Sequence, residues 1–204
     1  MFGNRFARHV ARRYRKRGLG GTEQHIVDFL VGRGIEGASV LEIGGGVGEL
    51  HLELLRRGAA RATNLELVDA YDATANELAS EAGVGDRIER RVLDIAATPG
   101  QVGPADVVVL HRVVCCYPDF ERLLGAAADH AQRLLVFSHP PRNAASRLVL
   151  AAQNAAFRVS GRSFRTFAHP PARMLDVLGA HGLSPVYDHQ GLVWRVAGLE
   201  RPPA

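Results

Sequence analysis

The stretch Val40-Leu41-Glu42-Ile43-Gly44-Gly45-Gly46-Val47-Gly48-Glu49-Leu50 decides how the rest of the chain is read. It opens as a short apolar run with β-branched residues, the pattern of a buried strand. It passes through a cluster of glycines and turns helical near Val47, with Leu50, Leu52, Leu54 and Leu55 following. A strand, a glycine turn and a helix form the ligand-binding corner of a doubly wound α/β sheet. Glycine permits the tight turn and a close approach of the ligand to the backbone. The helix start offers N–H groups that have no intrahelical partner. A dinucleotide fingerprint needs glycines at relative positions one, three and six; the glycines fall at Gly44, Gly46 and Gly48, and Glu49 holds the sixth place. A P-loop needs Gly-Lys-Ser/Thr after the turn, and the sequence has none.

Downstream, Arg61 to Glu66 reads as the second strand. Glu66 lies about 20 residues beyond the glycine turn, where an acidic residue meets ribose hydroxyls. A carboxylate can accept both hydrogen bonds of a vicinal diol, and Asp69 is its near rival. A helix over 70–82 leads to a third strand, Arg87 to Leu93, followed directly by Asp94. Asp106 to His111 is a continuous apolar run, which suits a strand covered on both faces. His111 and Arg112 stand at its carboxyl end, where open α/β sheets bind ligands. Val113 to Pro118 then runs along the pocket edge, before a helix over 119–131. Arg133 to Ser138 is the fifth strand, with His139-Pro140-Pro141 at its tip. Strands and helices alternate strictly, which implies parallel pairing with right-handed crossovers.

Upstream, residues 4–17 predict a basic helix with Phe6, Val10 and Tyr14 on one stripe. Thr22 can cap a second helix over 23–33. Past the fifth strand, residues 142–169 predict an Ala- and Leu-rich helix, Asn143 to Val159, and then a basic stretch. Another helix over about 171–181 precedes a hairpin, Leu183 to Tyr187 and Gly191 to Leu199, turning near His189-Gln190-Gly191.

An acidic residue followed by Gly-x-Gly-x-Gly, Glu42 to Gly48, resembles motif I of the class I S-adenosylmethionine-dependent methyltransferases. The resemblance covers residues 22 to 199, and the order and spacing of the motifs carry it. It implies a Rossmann-like, doubly wound, mostly parallel seven-stranded sheet with one antiparallel strand and helices on both faces. It implies an enzyme that uses S-adenosyl-L-methionine, with S-adenosyl-L-homocysteine as product. The family's pattern puts Glu42, Gly44, Gly45, Gly46 and Gly48 around the amino-acid end and sulfonium of the cofactor, and Glu66 with Leu67 at the ribose. It puts Asp94 near the adenine amino group and Ile95, with Leu93, against the ring; Asp94 can equally cap the next turn. The small size, Tyr117-Pro118 after strand four and the helical insertion after strand five are similar to small-molecule O-methyltransferases, the magnesium-protoporphyrin group among them. That group's substrate is not carried over. One domain, 1–204, is expected: N-terminal helices over 1–34 covering the site, a cofactor-binding core over 38–139, a helical insertion or lid over 142–169, and a closing helix and hairpin over 170–199.

Methyl transfer from a sulfonium is an in-line displacement that needs mainly alignment of the reacting groups. A general base is needed only when the acceptor must lose a proton early. His111 is the first candidate, with His139 and Tyr117 behind it, because all three fall at the carboxyl ends of strands four and five; His111 can instead contact the cofactor. The expected acceptor is the oxygen or nitrogen of a small molecule. Arg158, Arg162, Arg165 and Arg173 either clamp an anionic acceptor or form a solvated basic lid. Two other readings stay open: a cofactor-binding enzyme of non-methylating chemistry, and a basic RNA-binding methyltransferase. His111-Arg112-Val113-Val114 stands where base-amine methylation would need Asn/Asp-Pro-Pro-Tyr, and no nucleic-acid signature follows the N-terminal arginines.

At 204 residues the chain is long enough for one well-filled core. Its 47% hydrophobic and 23% charged residues match an ordinary globular protein. No apolar run reaches a membrane span, and the Arg-rich start lacks an apolar signal core, so a cytoplasmic location is expected. The adjacent Cys115 and Cys116 imply no disulfide framework. No spacing of His, Cys or carboxylates suggests a metal site.

Overall fold

A computed structural model of the chain describes residues 3–141, 143–159, 161 and 164–203. Seven strands form one sheet: β1 (Ser39–Ile43), β2 (Arg61–Glu66), β3 (Ile88–Val92), β4 (Ala105–Leu110), β5 (Ala131–His139), β6 (Ser184–Gln190) and β7 (Arg195–Glu200). Their order across the sheet is β3-β2-β1-β4-β5-β7-β6. The first five strands pair in parallel, and β7 runs antiparallel between β5 and β6. This is the mixed, Rossmann-like sheet that the sequence predicts.

The helices are α1 (Asn4–Arg17), α2 (Gly21–Gly32), α3 (Glu49–Arg56), α4 (Asp72–Glu81), α5 (Phe120–His130), α6 (Ala144–Val159) and α7 (Pro171–Ala180). Alternate residues of a strand point to opposite faces, and the core divides accordingly. Val40, Val107, Val109, Leu134 and Val136 pack with α1 to α4 on one face. Leu41, Val108, Leu110, Leu135 and Phe137 pack with α5 and α7 on the other. Truncating such a side chain, Leu41 or Leu110 for instance, costs about 2–5 kcal/mol. The strand order reverses between β1 and β4, so the carboxyl ends of these two neighbours border the crevice where open sheets bind ligands.

Two local expectations are corrected and one is refined. Helix α2 begins at Gly21 with Gly20 as its cap, and Thr22 lies inside the first turn instead of capping it. Helix α1 buries Ala7 and Ala11 most deeply, two methyl-sized residues that let the helix approach the body closely; of the expected stripe, Val10 and Tyr14 pack half-buried against the same core, and Phe6 stays 42% exposed. The closing hairpin turns after Gln190, so Leu192 and Val193 fall in the turn and not in a strand. No helix among the described residues is long and apolar enough to cross a membrane.

Candidate active site

The stretch between β1 and α3 folds as a loop with three glycines at positive φ: Gly44 (68°), Gly46 (56°) and Gly48 (90°). At Gly45 the limit is space: a Cβ there would collide with the Asn64 amide and reach 2.6 Å from the Glu42 carboxyl carbon. At Gly46 nothing lies within 4 Å of where a Cβ would stand. Gly46, with Gly44 and Gly45, lines a cavity of about 730 Å³. Glu42, fully buried beneath the loop, accepts a 2.6 Å hydrogen bond from Nδ1 of the equally buried His51. From the end of β2, Glu66 accepts the Gly46 N–H at 2.5 Å and the Leu67 N–H at 3.2 Å. Burial raises its pKa, and these backbone donors oppose the rise.

The cavity wall opposite the loop comes from both ends of the chain. Helix α1 contributes Phe6, His9, Val10 and Arg13, and α6 contributes Ser146, Val149, Leu150 and Gln153. Phe164, Thr166 and the turn Leu192-Val193-Trp194 complete it. Apolar and aromatic side chains dominate this wall.

His111, just past β4, reaches the cavity floor. Its Nδ1 lies 2.9 Å from Ser138 Oγ, which also accepts the Arg112 N–H at 2.9 Å. Its Nε2 is buried without a hydrogen-bond partner and lies 3.4 Å from Oε1 of Glu23. Burial lowers the His111 pKa, which leaves the ring neutral near pH 7. Arg112 is the one non-glycine residue at positive φ (58°) among the described residues. Its guanidinium lies over the Trp194 ring, 5.2 Å from the centroid, and 3.3 Å from Glu23.

Two acids on α2 and α3 join the site without having been expected there. Glu23 is almost wholly buried. Burial alone would raise its pKa, but His111 and Arg112 outweigh that and hold it at about 2. Glu49 lines the cavity, and burial pushes its pKa up to about 7. Its place directly after the glycine loop was a usable signal; Glu23 offered none.

The other expected site residues divide. Glu42, Gly44, Gly45, Gly46, Glu66 and His111 share the cavity wall, and Gly48 caps α3 behind it. Leu67, Asp94 and Ile95 lie beyond that wall. Asp94 does cap the following turn, accepting the Ala96 N–H at 3.0 Å, and it also accepts the Tyr117 hydroxyl at 2.9 Å. Tyr117 is thus a donor to Asp94 behind the wall; burial, then this bond, push its pKa up to about 12. His139 is buried, with Nδ1 3.0 Å from the Pro140 carbonyl, and borders a separate small cavity.

The arginines offered for a clamp are not gathered on this wall among the described residues. Arg158 and Arg165 are exposed and off the wall, Arg158 because α6 turns Ser146, Val149, Leu150 and Gln153 inward. Arg173 pairs with Glu121 of α5 at 3.0 Å, and Arg162 lies outside the described residues. The arginines that do line the cavity, Arg13 and Arg112, both sit within 3.4 Å of Glu23. Among the described residues no group of three or more His, Cys, Asp or Glu is placed to hold a metal.

A family model described as a methyltransferase domain matches residues 6–197. Among solved structures, magnesium protoporphyrin IX methyltransferase from Synechocystis PCC 6803 with bound SAH is similar over 89% of this chain and 82% of that one, with a TM-score of 0.73 and 23% identity. An O-methyltransferase family 2 protein from Planctomyces limnophilus, in complex with apigenin, is similar over 99% of this chain and 62% of that one, with a TM-score of 0.72 and 19% identity. Geranyl diphosphate C-methyltransferase from Streptomyces coelicolor, in complex with Mg2+, geranyl diphosphate and S-adenosyl-L-homocysteine, is similar over 88% and 81%, with a TM-score of 0.68 and 16% identity. These likenesses are of fold. No curated protein sequence matches the chain.

Proposed function

The chain belongs to the methyltransferase-domain family, and from that premise we propose that it binds S-adenosyl-L-methionine and methylates an oxygen or nitrogen of a small, largely apolar acceptor. One observation carries the reading. The glycine loop lines the cavity and is open at Gly46, and the Glu66 carboxylate is held beside that opening. A loop with that open side accepts a ligand against its backbone, and a carboxylate there suits a ribose diol. The residues present therefore fit the cofactor.

In this reading Gly44, Gly45 and Gly46 cradle the amino-acid end and sulfonium, and Gly48 sets the start of α3. Glu42 and Glu49 supply negative charge toward the cofactor's cationic groups. Glu66 and Leu67 hold the ribose. Asp94, oriented by Tyr117, and Ile95 serve the adenine at the outer flank. S-adenosyl-L-methionine supplies an activated methyl group on a sulfonium. The chain's own work is to align the acceptor with it and to exclude water.

His111 is the proton acceptor of this proposal. Ser138 engages Nδ1, which leaves Nε2, buried beside Glu23 in the free protein, to take the proton of the acceptor's O–H or N–H. A neutral ring can take that proton, and Glu23, 3.4 Å away, pairs with the imidazolium that results. The acceptor is apolar because the wall is, and because both wall arginines already face Glu23.

Calorimetric titration with S-adenosyl-L-methionine and S-adenosyl-L-homocysteine tests the reading, on the wild type and on Glu66→Ala. Binding by the wild type that weakens at least tenfold in Glu66→Ala supports it. No binding by the wild type overturns it. A mass-spectrometric search for a methylated product then identifies the acceptor.

A further inference from the structure

We propose that the rim of this cavity docks onto an anionic lipid bilayer, so that the cavity mouth faces the membrane surface. Three elements that frame the mouth carry the inference. The first is the turn between β6 and β7. Leu192 is 99% exposed and Val193 65%, and both lie on the cavity edge beside Trp194. The second is α6, whose inner side lines the cavity. Its outer side exposes Leu148, Ala152, Ala155 and Val159 at helical spacing, with Leu148 at 73% and Val159 at 89% exposure. A surface helix whose outward stripe is apolar from end to end faces something other than water.

The third is α1, and its charge selects the occupant. Arg5, Arg12 and Lys16 follow one stripe of the helix and are exposed, as are Arg8 and Arg17. On the neighbouring face His9, Val10 and Arg13 line the cavity. Neither α1 nor α6 carries an acidic residue, and the only charged residues of α6 are Arg147 and Arg158. Apolar side chains and cations around one opening match the two layers of a lipid interface, acyl chains and anionic headgroups. A second copy of the chain would bring the same cations against each other. Docking in this orientation would let an apolar acceptor pass from the bilayer into the cavity; that consequence, unlike the docking itself, rests on the proposed function.

The test is co-sedimentation of the full chain with vesicles of phosphatidylcholine, alone or equimolar with phosphatidylglycerol. The chain is expected to pellet with the mixed vesicles, far less with phosphatidylcholine alone, and to be released by salt. Leu192→Asp with Val193→Asp, and separately Arg5→Glu with Arg12→Glu, are each expected to lower partitioning about tenfold or more. Trp194, the single tryptophan, gives a readout in the unaltered chain: its fluorescence should be quenched by brominated acyl chains in the mixed vesicles. Absence of pelleting overturns the proposal, as does pelleting without quenching, or pelleting that survives both pairs of substitutions. A dimer in solution that the Leu192 and Val193 substitutions dissolve, with no vesicle binding, assigns the surface to a second copy instead. Vesicle binding without cofactor binding would fail the proposed function and leave the docking intact.

Discussion

Oε1 of Glu23 lies 3.4 Å from Nε2 of His111, and both side chains are buried, although one belongs to α2 and the other to the tip of β4. The same oxygen is 3.3 Å from Arg112 and 3.4 Å from Arg13 of α1. One carboxylate thereby ties two N-terminal helices to the cavity floor. Glu23→Gln is expected to cost about 1 kcal/mol at neutral pH, because buried His111 loses a charged neighbour while Arg13 and Arg112, more than a third exposed, are partly compensated by water. The carboxylate's folded pKa is depressed, from 4.5 to about 2, so its stabilisation is complete above the unfolded value and is lost as pH falls through the folded one. The difference between wild type and variant in urea unfolding should shrink from about pH 4.5 down to about pH 2.

Gly45 and Gly46 differ in what an added methyl group meets. Gly45→Ala drives a Cβ into the Asn64 amide and the Glu42 carboxyl, and overpacking of this kind costs about 1–3 kcal/mol. Gly46→Ala meets open space but keeps a φ of 56°, a left-handed cost of about 1–2 kcal/mol. Its methyl group would project toward the proposed ligand. Both variants should lower the melting temperature, and S-adenosyl-L-homocysteine affinity should fall at least tenfold in Gly46→Ala while the protein remains folded. A Gly46→Ala variant with full affinity would remove the loop from the site.

His111 and His139 separate by their surroundings. His111→Ala removes the proposed proton acceptor, so kcat should fall about 100-fold with cofactor affinity little changed. His139 borders a different cavity and bonds a carbonyl, so His139→Ala should act on stability and leave the pH profile of kcat in place. The same profile should survive Tyr117→Phe, which removes a donor to Asp94 and should appear in cofactor affinity instead. A basic shift of the profile in Tyr117→Phe would return Tyr117 to the chemistry.

The sheet was legible because β1, β4 and β5 each carry a short apolar run and are separated by amphipathic helices, a pattern that few topologies satisfy. Glu66 was legible from its distance along the chain to the glycine turn. Glu23 was not, because nothing local marks it; its role arises when α2 packs with its first turn over β4. The facing of α6 was also hidden. Alanines surround that helix, so periodicity left open whether Arg158 or Gln153 would turn inward. Leu192 and Val193 read as strand residues for the reason that makes them conspicuous in space: they are apolar, yet the hairpin places them at an exposed turn.

Glu49 couples cofactor binding to a proton. Burial pushes its pKa up to about 7, and the charges of Glu42 and Glu23 add to the rise. A carboxyl whose folded pKa is raised stabilises the fold fully below its unfolded value, and that stabilisation is lost as pH rises through the folded value. Glu49→Gln should therefore stabilise the free protein by about 1–2 kcal/mol at pH 8 and hardly at all at pH 4. The proposed ligand carries a sulfonium and an ammonium, and a cation beside Glu49 lowers its pKa again. Binding at neutral pH should then release a fraction of a proton. Calorimetry in buffers of different ionisation enthalpy reads that release directly: the apparent binding enthalpy should change with the buffer for the wild type and become buffer-independent in Glu49→Gln. A wild-type enthalpy that does not depend on the buffer would place the cationic end of the cofactor away from Glu49.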